Sequence, residues 1–362
     1  MASGLNHPWG VVSLPDGGFL VTERNGGLRQ ITAEGKVLAP VEGLPMIAAL
    51  GQGGLLDVAL DDDFERNRRV YFCYAEPEAG AKEPGAVKKM LNRLPNWVST
   101  PVDVNSTALA VGELSTDGRK LERVKVLFSQ RPKVDSKLHF GCRIVLQGEH
   151  IYLTLGDRYS EMEQAQRLDN HLGKIIRINR DGSVPADNPF VKTKGALPEI
   201  WSYGHRNMQG ATLAPDGSLW THEHGAQGGD EINLIEPGVN YGWPVITYGK
   251  NYGGGKIGEG LTEKPGMAQP FYYWLPSIAP SGMTFVRGTR FGEDWKGNLL
   301  VGALKYMYLG RLVFDAQGRV KVEEKIPVDE RVRDVLETAD GQIFVLTDSD
   351  DGKLLRLKRP AK

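Results

Sequence analysis

One local pattern recurs along the chain: a Gly-containing turn, a short alternating apolar strand, a second turn and a second strand. Pro15-Asp16-Gly17-Gly18 leads into FLVTERNGGLRQIT, with Asn25-Gly26 as a hairpin turn. VYFCYAE follows the turn-like DDDFERN, HIYLTLGD starts at His150, and GSLWTHEHG follows Asp216. GNLLVGALKYMYLGRLVFDAQGRV starts at Gly297 and GQIFVLTDSDDGKLLRLK at Gly341. These make six strand-pair units, with strands starting near residues 19, 70, 150, 219, 298 and 342. Helical periodicity is confined to 86–94 (AVKKMLNRL) and 161–169.

Many short strands bounded by Asp-Gly and Asn-Gly turns argue for an all-β fold. Uneven repeats of roughly 45–80 residues point to a propeller, whose radial repetition leaves few exposed strand edges. Six units predict a six-bladed β-propeller over 1–362, with the strand Trp9–Leu14 completing the last blade. A large β-sandwich or two β-domains is the alternative. Residues 81–107 are Pro-punctuated without strand alternation and read as an insertion, either a surface loop or a lid or dimer contact.

The formal net charge of −1 gives no global basic field, which argues against nucleic acid or an anionic membrane as the main partner. No apolar run reaches the ~20 residues needed to span a bilayer. Cys73 and Cys142 are the only cysteines. They lie in separate strand-like segments and are expected as free thiols. Domain-like sequence, HPWGVVSLPDGG, begins almost at once, which fits either a cytoplasmic protein or one whose leader is absent from this sequence.

Propeller sites form where blade loops converge on the axis. Gln52, His139, Asp157, Arg206, Asn207, Lys305, Arg331 and Arg333 each lie just before or after an expected strand. His139 with Asp157 suits a general base; alone, the histidine could equally be a core residue. Lys305 lies in an apolar segment, where a buried ammonium would require an anionic partner. Arg331 and Arg333 alternate on one strand face beside Asp334, and a surface salt bridge would explain them equally well. Several converging cations would suit a small polyanion. His222 and His224 are spaced to point the same way, but no third zinc ligand is evident. Asp61-Asp62-Asp63 lacks calcium-loop spacing and reads as a solvated turn. The loop from His224 to Asp230 carries three glycines that let backbone groups approach a ligand.

Ordered along the chain are HPWG, GQGGLLDVAL, HFG, DNPF, EIWSYGHRN, EHG, GGDEIN, NYGWP, GALK and RVRDV. In these strings the sequence resembles the soluble quinoprotein aldose dehydrogenases, the glucose/sorbosone dehydrogenase family, nearly end to end. The resemblance implies a six-bladed propeller that uses pyrroloquinoline quinone (PQQ) and Ca2+ to oxidise the C1 hydroxyl of an aldose to a lactone. His139 then corresponds to the base, Asp157 to the carboxylate supporting it and Gln52 to a substrate contact. Arg206 and Asn207 correspond to the pair at the quinone's reactive carbonyl edge. Lys305, Arg331 and Arg333 correspond to the cations on its carboxylates, and Ser277 to a hydroxyl contact. Gly225 and Ala226 would offer carbonyls to calcium. The resemblance further implies a sugar substrate, an external electron acceptor, a monomer or homodimer, no membrane insertion, and a periplasmic or secreted location.

The sequence departs from the family pattern at Leu138, Cys142, Met208 and Ala226, which bears on substrate preference and cofactor affinity. Two other readings share the fold: a calcium-dependent propeller lactonase, which needs side-chain carboxylates or amides around its metal, and a sugar- or ligand-binding propeller without chemistry.

Overall fold

A computed structural model describes residues 1–82 and 103–359. Six four-stranded antiparallel sheets are arranged in a ring, a six-bladed β-propeller. The first strand of each blade is innermost and packs against the first strands of the blades beside it. These inner strands are Pro8–Ser13, Leu55–Leu60, Gly141–Gln147, Met208–Leu213, Pro280–Phe285 and Val332–Glu337. The second strands are Phe19–Glu23, Arg69–Pro77, His150–Leu155, Leu219–Glu223, Leu299–Ala303 and Ile343–Thr347. They are the six strands whose starts recur in the sequence.

Burial explains that legibility. A second strand is covered by strands on both sides and by blades on both faces. Phe19–Glu23, Leu299–Ala303 and Ile343–Thr347 are buried at every residue. An outer strand such as Val320–Pro327 (VKVEEKIP) has no buried residue and carries no continuous apolar signal. Apolar clusters fill the spaces between blades; one joins Trp9, Leu56, Tyr71, Phe140 and Leu153 from the first three blades.

Ring closure differs from the expectation. Trp9–Leu14 does not complete the last blade, because Pro8–Ser13 is the inner strand of the first. The closing strand is Ala2–Leu5, which pairs antiparallel with Gly352–Arg356. Both chain ends therefore share one sheet.

Cys73 and Cys142 are not free thiols: they form a disulfide with Cα atoms 5.7 Å apart. It ties the second strand of blade two to the inner strand of blade three, through a core where both residues are fully buried. Of the two helical segments, 86–94 lies outside the described residues, and 161–169 contains one 3-10 turn, Met162–Gln166. Most of the insertion at 81–107 also lies outside them, although its last residues begin the strand Asn105–Leu114. Asp61 is not simply solvated. It accepts hydrogen bonds from Tyr71, Asn67 and Arg180, and only its neighbours Asp62 and Asp63 face solvent.

Charged side chains fill the axis. Arg143 Nη1 lies 3.1 Å from both Asp57 Oδ1 and Asp334 Oδ1, joining the inner strands of blades two, three and six. Arg143 Nε donates to the carbonyl of Gln209 in blade four at 2.7 Å, and the guanidinium lies 4.1 Å from the Trp9 ring centroid. The Ile144 and Val11 amides donate to the remaining carboxylate oxygens. A buried pair of carboxylates is tolerated here because one guanidinium and two amides satisfy it.

Candidate functional site

Antiparallel pairing places the start of each inner strand and the end of each second strand at one face of the ring. Gln52, His139, Arg206, Asn207 and Ser277 precede inner strands, as does Arg331. Arg24, Asp157, His224, Lys305 and Asp348 follow second strands. Ten loop segments from different parts of the chain are thereby brought to one end of the axis.

His139 and Asp157 form the tightest pair there. His139 Nδ1 lies 2.6 Å from Asp157 Oδ1. The other carboxylate oxygen, Oδ2, accepts from Trp243 Nε1 at 2.7 Å, and the Tyr159 amide donates to Oδ1 at 2.9 Å. Gln52 Oε1 accepts the His139 amide at 2.9 Å. Asp157 is fully buried and His139 nearly so. Burial works against the Asp157 carboxylate, but the facing His139 and Arg206 outweigh it and hold the group below the usual range. Burial, then the nearby Arg206 charge, pushes His139 below the ordinary imidazole range despite Asp157. The ring is thus neutral near pH 7. Its Nδ1–H is committed to the carboxylate, and Nε2 has no hydrogen-bond partner among the described residues.

The backbone at this point is unusual. His139 has φ 50°, and a Cβ on Gly156 would lie 2.0 Å from the His139 carbonyl oxygen. Only glycine at 156 lets the two loops approach so closely.

Arg206 joins this cluster through its main chain, whose carbonyl accepts the Asp157 amide at 2.8 Å. Its Nη1 donates to the His224 carbonyl at 3.1 Å, and its guanidinium lies 5.2 Å from the Trp243 centroid. Among the described residues its buried Nε has no partner, and neither has Nε of Arg333. Asn207 Oδ1 accepts the Gly141 amide.

Beside the cluster is a cleft of about 190 Å³. Gln52, Asn207, Arg331 and Arg333 line it, together with Trp9, Arg24, Phe140, Gln209, His224 and Asp348. Three guanidiniums face a single carboxylate. Asp348 accepts from Arg333 Nη2 at 2.7 Å, pairs with His7 Nδ1 at 2.9 Å and lies 3.6 Å from Arg331 Nη2. The His224 ring is pushed down by burial to about 4, so it adds no charge near neutrality.

Seven expected residues are not in the lining: His139, Asp157 and Arg206 form the adjoining cluster, and Lys305, Ser277, Gly225 and Ala226 lie beside it. Lys305 is not the buried ammonium its apolar segment suggested. It is exposed, its Nζ 5.0 Å from the Tyr306 centroid, and its neighbour Leu304 lines the cleft. Ser277 donates its hydroxyl to Asp230 at 2.7 Å. Asp230 also accepts amides from Gly225, Ile278 and Ala279, and so fixes the Gly225-Ala226 loop against the 277–279 loop. Gly225 and Ala226 are buried next to the lining residue His224.

The sequence model of the family described as Glucose / Sorbosone dehydrogenase matches residues 5–356. The chain belongs to the glucose/sorbosone dehydrogenase family. It is 40% identical over 360 residues to the aldose sugar dehydrogenase YliI of Escherichia coli (strain K12), covering 98% of this chain and 90% of that one. It is 27% identical over 426 residues to quinoprotein glucose dehydrogenase B of Acinetobacter calcoaceticus, covering 97% and 86%. A solved structure of a glucose dehydrogenase superposes with a TM-score of 0.89 at 40% identity, covering 99% of this chain and 98% of that one.

For this family member, sequence reasoning missed Arg24, Trp9, Phe140, Gln209 and Asp348 in the lining. Two of these were within reach. Arg24 follows FLVTE and Asp348 follows IFVLT, so each sits at the end of a second strand, as Asp157 does.

Proposed function

We propose that this protein oxidises the C1 hydroxyl of an aldose to the lactone, using PQQ with Ca2+, and that the electrons then pass to an external acceptor. One observation carries the reading: a neutral, carboxylate-oriented imidazole adjoins a cleft in which guanidiniums outnumber carboxylates three to one. PQQ is a planar polyanion, and the unpartnered buried Nε of the lining residue Arg333 is a donor such a ligand would satisfy. Membership of a dehydrogenase family and similarity to a protein named a quinoprotein support the same choice.

In this reading His139 Nε2 takes the hydroxyl proton, with Asp157 stabilising the imidazolium that results. Gln52 holds the His139 main chain and lines the cleft, where its amide group can orient the sugar. Arg206 and Asn207 would hold the cofactor's carbonyl edge, and Lys305, Arg331 and Arg333 its carboxylates, with Ser277 adding a hydroxyl contact. PQQ, when bound, supplies the two-electron sink for the hydride that leaves C1. Ca2+ prefers hard oxygen donors, and the carbonyls of Gly225 and Ala226 are of that kind. The buried disulfide supports a periplasmic or secreted location, because such bonds persist in oxidising compartments.

The test is to titrate the apo-protein with PQQ and Ca2+ by absorbance and calorimetry, then add an aldose and an acceptor dye. Saturable binding followed by dye reduction supports the reading. Absence of PQQ binding overturns it.

A further inference from the structure

Arg24 stands out among the cations of the cleft. It follows the second strand of blade one and is partly buried. Its main chain is fixed: the amide donates to the His7 carbonyl at 3.0 Å, and a Cβ on Gly54 would lie 1.7 Å from the Arg24 carbonyl oxygen. Glycine at 54 therefore lets the 52–54 loop close directly over Arg24. Its guanidinium, by contrast, has no hydrogen bond or ion pair among the described residues, although it lines the cleft.

The other two guanidiniums of the lining are partly spoken for. Arg333 is engaged by Asp348, and Arg331 is shared between Asp348 and the Leu304 carbonyl, 3.3 Å away. The single carboxylate of the lining thus answers Arg331 and Arg333 and leaves the Arg24 charge unmatched. Arg24 is still close enough to act on the pair: with Arg333 and His7, it holds Asp348 far below the usual carboxylate range against the effect of burial.

A fixed backbone, a free guanidinium and a shortage of carboxylates describe a binding group awaiting an anion. We infer that Arg24 is an additional anion-binding residue of the cleft, donating to a carboxylate of the polyanionic cofactor alongside Arg331 and Arg333. The inference rests on the PQQ reading above and adds a residue from the first blade to it.

The experiment is calorimetric titration of PQQ into the parent apo-protein, Arg24→Gln and Arg24→Lys, at two salt concentrations. Loss of one charge-assisted hydrogen bond predicts roughly 10–100-fold weaker binding for Arg24→Gln at low salt. The deficit shrinks at high salt, and Arg24→Lys recovers part of the affinity. The thermal midpoint of the free protein should change little, because Arg24 gives up no internal hydrogen bond and its attraction to Asp348 is offset by repulsion from Arg333. Equal affinity in Arg24→Gln and the parent overturns the Arg24 assignment and leaves the PQQ reading intact. Failure of the parent itself to bind PQQ overturns both.

Discussion

His139 Nδ1 and Asp157 Oδ1 lie 2.6 Å apart, and Trp243 holds the far oxygen of the same carboxylate at 2.7 Å. The carboxylate thereby fixes both the tautomer and the direction of the ring. His139→Gln removes the proton acceptor while leaving the guanidiniums in place. Turnover should fall by roughly 10²–10⁴-fold with PQQ affinity little changed, measured as dye reduction against calorimetric binding. Full activity in this variant would exclude His139 as the base.

The pH dependence follows from the same pair. Burial and Arg206 lower the His139 pKa and Asp157 opposes them, so the neutral base persists below the ordinary imidazole range. The acid limb of kcat/KM is expected on the low-pH side of the ordinary imidazole value of 6.5. Asp157→Asn removes the one opposing charge and should move the limb lower still while reducing the rate. A limb that moves upward would contradict this charge balance.

At the axis, Arg143 answers both Asp57 and Asp334. Arg143→Met leaves two buried carboxylates without their cation, at a cost of about 3–5 kcal/mol near neutral pH. Burial already raises Asp57 to about 6. A raised carboxyl pKa favours the fold at low pH, and this contribution is lost as pH rises through the folded-state value. Without Arg143 both carboxyls rise further, so the deficit should narrow as pH falls from 7 toward 5. Urea denaturation at several pH values measures it.

The disulfide between Cys73 and Cys142 spans 69 residues and crosses from blade two to blade three. Replacing both by serine should cost about 2–4 kcal/mol, chiefly by freeing the unfolded chain. Thermal denaturation of the parent with and without a thiol reductant gives an independent check. Identical midpoints with both thiols shown to be free would mean that the bond contributes nothing.

Much of the fold could be read from the sequence because second strands are buried on every side. FLVTE, HIYLTL and IFVLT are apolar enough to be counted, and their count gives the blades. The candidate site residues stand out in the sequence for a related reason. Polar or charged residues such as His139 and Arg206 interrupt Gly-rich segments at strand ends, where a packed core has no use for them.

Other features depend on pairing at long range. Ala2–Leu5, not Trp9–Leu14, closes the ring, because closure is set by which strand meets Gly352–Arg356. Cys73 and Cys142 meet because two blades pack face to face, and Arg24 shares a cleft with Arg333 because the ring returns to its start. By itself the sequence determined the second strands, the number of blades and the polar residues at their ends, since local burial and turn chemistry are written in neighbouring residues. Which cations keep their charge free was decided only by the tertiary structure, because Asp348 lies far along the chain from Arg24 and beside it only in the closed ring.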